Sequence, residues 1–140
     1  MTRSFSLAGL LRVRSIQERA AAQELSRAVI EANQTRTRDR HLRAALAAAE
    51  TDAVDVRSLA AMAAARVAGR SMLADLASLQ EMQQQAVDEA EATHSGVRRE
   101  VRGLDRLADA HAARVQAEAL RAEQFELDEI AVRRGAGNSE

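Results

Sequence analysis

Leu7-Ala8-Gly9-Leu10-Leu11-Arg12-Val13-Arg14-Ser15-Ile16-Gln17-Glu18-Arg19-Ala20-Ala21-Ala22-Gln23-Glu24-Leu25 sets a spacing that much of the chain keeps. Stepping alternately by four and three from Leu7 gives eighteen positions up to Val67, and fourteen of them are apolar. Composition alone, at 46% hydrophobic, would fill about eight. The exceptions are Arg14, Glu18, Thr35 and Asp39. An apolar residue recurring every 3.5 positions is the seam of a coiled coil. A second seam runs from Val87 to Phe125, where nine of twelve positions are apolar. Leu73, Leu76, Gln80 and Gln83 continue it backwards with weaker residues. The two frames do not join. The first would place Arg70 on the seam, whereas the second reaches back to Leu73. A chain reversal between two antiparallel helices explains the shift most simply.

Composition agrees with long helices. The 140 residues hold no Pro, no Cys, no Trp, no Tyr and only two Phe, while Ala supplies 32. Pro breaks helix interiors and Ala is the best helix former. An Ala-rich seam lets two helix axes approach closely, but each Ala buries little apolar area. Without Cys there is no disulfide and no thiolate site. The expected fold is therefore all-α: two long helices forming an antiparallel coiled-coil hairpin, with a frayed C-terminal tail.

Two turns are open on local grounds. Thr51-Asp52-Ala53-Val54-Asp55 offers N-cap residues before a fresh run at Val56. Gly69-Arg70-Ser71 offers a C′ Gly followed by a Ser cap, at the point where the frame shifts. The unbroken 7–67 seam favours the second. Gly96 and Gly103 lie seven apart on one helix face, where either close approach of another chain or local softness would account for them. Residues 135–140, Gly135-Ala136-Gly137-Asn138-Ser139-Glu140, have no apolar face and are expected to form a disordered tail.

The sequence carries little chemistry. His41, His94 and His111 form no i,i+3 or i,i+4 pair, so no metal site is expected on a single helix. His94 and His111 fall on the second seam, where a polar residue sets register. There is no GxxxxGK[ST] phosphate loop and no GxSxG elbow. The chain reads as not an enzyme, with no cofactor. Net charge is −1, with all 20 basic residues Arg. Residues 1–50 carry nine Arg against five acids, and residues 51–95 three Arg against seven. The densest basic stretch is Arg36-Thr37-Arg38-Asp39-Arg40-His41-Leu42-Arg43, in which Arg36, Arg40 and Arg43 share a helix face. Two aromatics cannot build a base-stacking platform, so nucleic acid is not the expected partner. A basic face meeting an acidic protein surface is the more natural reading. No apolar run is long enough for a signal or a membrane span.

The two ends resemble a known family. The start, Phe5-Ser6-Leu7-Ala8-Gly9-Leu10-Leu11-Arg12-Val13-Arg14 followed by Glu18, Ala21 and Leu25, is similar to the opening F-x-L-x-x-L-L-x-x-R of the FliJ family. The end, Glu123-Gln124-Phe125-Glu126-Leu127-Asp128-Glu129-Ile130-Ala131, resembles that family's closing E-Q-x-x-L-D-E-x-A. Phe125 stands where the family commonly has a polar residue. The resemblance implies a component of the flagellar type III protein export apparatus. Its partners would be the export ATPase hexamer, the cytoplasmic domain of the export gate, and export chaperones. Its location would be cytoplasmic, peripheral to the inner membrane at the flagellar base. It also implies an early turn and a longer second helix. On that basis helix 1 is expected at about 5–50, the turn at about 51–56 and helix 2 at about 57–133, within a single hairpin of residues 1–134. The residues it singles out for partner binding are Leu10, Leu11, Arg14 and Glu18, and Gln124, Leu127, Asp128 and Glu129. Two other readings of the residues stay open: the equivalent coupling component of a virulence secretion system, and a structural coiled-coil spacer.

Overall fold

The computed structural model describes residues 2–49 and 55–137, with only the backbone for residues 2–5. It contains two helices, α1 (Thr2–Ala49) and α2 (Val56–Gly137), packed against each other as an antiparallel helical hairpin. Among the described residues there is no strand and no cis peptide bond. Helix α1 begins earlier than the expected 5. Helix α2 runs past the expected 133, so Gly135, Ala136 and Gly137 are helical where a disordered tail was expected. The remainder of that tail, residue 50 at the expected end of helix 1, and residues 51–54 of the expected turn lie outside the described residues.

The start of α2 is built as the sequence suggests. Asp55 is the N-cap: its Oδ1 accepts the Ser58 backbone N–H at 2.7 Å, and its carbonyl accepts the Leu59 N–H at 3.0 Å. The hydrogen bonds from Ser58 hold the Asp55 carboxyl below the ordinary carboxylate range. The rival turn at Gly69-Arg70-Ser71 is overturned, because all three residues are inside α2 and no Gly among the described residues has a positive φ.

The seam of α1 is where the spacing puts it. Each position of the four-three frame from Leu7 to Leu46 is buried or half-buried. Beyond Leu46 the frame fails: Ala49, Val56, Ala60, Ala63 and Val67 are all exposed. In α2 the covered positions instead follow the second frame, back through Leu76 and Leu73 to Gly69. The unbroken first seam was an accident of Ala and Val abundance on the two sides of the reversal.

Contacts divide the chain into two units, Met1–Ser15 with Arg99–Glu140, and Ile16–Arg98. In the Ile16–Arg98 unit, Ala21, Ala32 and Thr35 are buried on α1. Gly69 faces Leu46, and Arg36 bonds Gln84, so facing positions fall on α2 as they rise on α1. The middle of this seam is polar. Thr35, only 2% exposed, returns its hydroxyl proton to the Glu31 carbonyl one turn back. Gln80 and Gln83 are half-buried opposite, and the Gln83 Oε1 is buried without a hydrogen-bond donor among the described residues. In the other unit Val101 is buried on the seam. Coverage of α2 there ends at His111, and every residue from Ala112 to Gly137 is exposed. The expected seam positions Val115, Glu118, Ala122 and Phe125 are therefore exposed.

Candidate functional site

The opening strip sits on the first turns of α1. Leu11 is half-buried and Leu10 largely exposed. Arg14 takes a seam position where an apolar residue was expected, and reaches across to α2, where its Nη1 lies 2.9 Å from the Glu100 Oε2. Both side chains keep more than a third of their surface in solvent (37% and 52%), so the pair adds about 0.2–1 kcal/mol. The seam break at Arg14 is thereby answered by an acid on the opposite helix, beside any role in partner contact. Glu18, in the Ile16–Arg98 unit, is half-buried on the seam.

The closing strip belongs to the bare end of α2. Gln124, Leu127, Asp128 and Glu129 are all exposed. Glu129 pairs one turn on with Arg133, at 2.6 Å. Around them Val115, Leu120, Phe125, Leu127, Ile130 and Val132 are exposed, Phe125 by 75%. The structure does not bring Leu10, Leu11 and Arg14 together with this strip: Gln124 lies 24 residues beyond the Glu100 that Arg14 meets, roughly 36 Å of helix axis. The end motifs are thus two surfaces rather than one. Spacing could not distinguish them, because periodicity marks a face without saying whether a partner helix covers it.

The basic stretch is arranged by small polar contacts. Arg36 donates to the Gln84 Oε1 at 2.8 Å, and the Gln84 amide in turn donates to Asp88 at 3.0 Å. Arg40 donates to the Thr37 hydroxyl at 3.2 Å. Arg43 donates to Asp39 at 2.8 Å, and that contact raises the Arg43 pKa. Arg38 turns the other way, towards Leu42, Met72, Asp75 and Leu76.

Among the described residues, no group of three His, Cys, Asp or Glu side chains is placed to hold a metal, and no helix is long and apolar enough to cross a membrane. No family model, curated protein or solved structure matches the chain.

Proposed function

We propose that this chain is a non-catalytic component of the flagellar type III export apparatus, the role implied by its resemblance to the FliJ family. In this reading it binds the export ATPase ring and the cytoplasmic domain of the export gate at the inner membrane, couples the two, and escorts substrate chaperones. The observation that carries the reading is the bare end of α2. Residues 112–137 stay helical without covering any of their large apolar side chains, and the closing motif lies among them. Exposed apolar residues clustered on one element mark a protein-binding surface. A hairpin whose second helix outruns its first also suits insertion into a ring, since the single helix is slimmer than the pair.

The test is a pull-down from the native cytoplasm with the full chain and with a chain ending at His111. Recovery of a hexameric ATPase by the full chain, and its loss with the shortened one, is the expected result. Recovery of neither ATPase nor export gate by the full chain overturns the proposal. Arg14→Ala and Glu18→Ala address the opening strip: unchanged motility and ring binding would remove those two residues from the contact.

A further inference from the structure

The Arg-rich stretch of α1 does not stand alone. Arg43, Leu46 and Ala47 of α1 line one shallow groove with Arg66, Arg70 and Leu73 of α2. Arg40 and Arg36 continue the same side of α1 at helical spacing. Five guanidinium groups from two helices, all on exposed residues, therefore share one side of the Ile16–Arg98 unit. Among the described residues, Asp39 is the acid set between them on α1, and it pairs with Arg43. Arg36 and Arg40 rest on neutral acceptors, the Gln84 amide and the Thr37 hydroxyl, which orient them without cancelling their charge. Between the guanidiniums the floor is apolar, made by Leu46, Ala47 and Leu73.

We infer that this basic groove is a docking site for an acidic amphipathic segment of a partner protein, with carboxylates on the Arg side chains and an apolar residue on the Leu46–Leu73 floor. The inference goes beyond the export reading and does not depend on it. Arg pairs with carboxylates in planar, two-toothed geometry, and Arg36, Arg40 and Arg70, spread over two helices, set a specific pattern. From Arg36 to Arg43 the patch covers about 10 Å of axis, two turns of a bound helix. Phosphate backbones fit it less well. The α2 side of the patch gives way to Glu81 and Asp88, which would repel a continued run of phosphates, and its floor offers a backbone nothing to bond. No aromatic lines the groove to stack a base.

Fluorescence anisotropy with the full chain tests this. The probe is a labelled helical peptide with Glu at every third or fourth position and Leu between, and its control has Gln in place of Glu. Expected are binding of the Glu peptide that weakens as salt rises, little binding of the Gln peptide, and about tenfold loss in Arg40→Gln/Arg70→Gln. Arg38→Gln, on the other side of α1, should leave binding unchanged. Circular dichroism of each variant separates loss of binding from loss of helix. The inference is overturned by no binding at low salt, by equal loss in Arg38→Gln, or by tighter binding of an RNA duplex or of phosphatidylglycerol vesicles than of the Glu peptide.

Discussion

A methyl group added at Gly69 would sit 2.6 Å from one Leu46 Cδ and 2.7 Å from the other. At Gly103 it would meet nothing within 4 Å. Both residues are in α2, where Ala is favoured over Gly by about 1 kcal/mol. Gly103→Ala should therefore stabilise the chain by about that amount. Gly69→Ala should gain none of it, since Leu46 must leave its rotamer to make room, at about 1 kcal/mol or more. In a Leu46→Ala background the two substitutions should converge. Equal gains from both in the native background, measured by urea unfolding, would contradict the packing described. Gln83 offers a second residue-level test. Its buried Oε1 has no donor among the described residues, and an unmatched buried polar atom costs about 1–3 kcal/mol. Gln83→Leu should raise the unfolding midpoint, and a lower midpoint would mean that the amide is satisfied in solution.

At the scale of the element, the cap of α2 and its bare end behave oppositely. The Asp55 carboxylate is stabilised by Ser58 in the folded chain, so its folded pKa lies below its unfolded one. A group shifted in that direction contributes stability above the unfolded pKa, near 3.9 for Asp, and loses it as pH falls through the lower folded value. Asp55→Ala should therefore lower the melting temperature at pH 7, and the gap to the native chain should shrink as pH drops below about 4. A gap that stayed constant with pH would remove the charge from the cap. The bare end needs no such support. Ending the chain at His111 should reduce the helical ellipticity by about a fifth while hardly moving the melting temperature, because residues 112–137 are all exposed. A large fall in melting temperature would show that the end is packed after all. These elements also mark where sequence reasoning reached its limit. The spacing from Leu7 to Leu46 identified the covered side of α1, because a heptad pattern is a direct record of which side is buried. The same pattern ran on through Val56 and Val67, and through Val115 and Phe125, all of which are exposed. Gly69-Arg70-Ser71 carried the local chemistry of a helix end yet lies within α2, where Gly69 makes room for Leu46. Capping residues and periodicity are local signals, whereas the site of reversal and the overlap of two helices are decided by packing between distant residues. The basic groove was half legible for the same reason: Arg36, Arg40 and Arg43 share a spacing, but only the fold brings Arg66 and Arg70 beside them.

For the whole molecule, the short roll of buried residues decides how stability is distributed. Among the described residues, Ala21, Ala32, Val101 and Thr35 are the buried ones apart from Gly69, and three small or polar side chains among them supply little hydrophobic free energy. Local opening should then be graded along the chain instead of occurring all at once. Amide hydrogen exchange should be slowest around Ala21, Ala32 and Thr35 and around the α2 positions that face them. It should be fast through residues 112–137, where helical hydrogen bonds have solvent on every side. Bound partners stabilise what they cover by mass action, so the same experiment separates the two proposed surfaces. An export ATPase ring held through the closing motif should slow exchange over 112–137 and leave 36–47 unchanged. The acidic peptide should do the reverse, slowing 36–47 and 66–73 alone. Protection of one common region by both ligands would contradict the division of the chain into two binding surfaces. Uniformly slow exchange through both helices of the free chain would contradict the graded stability.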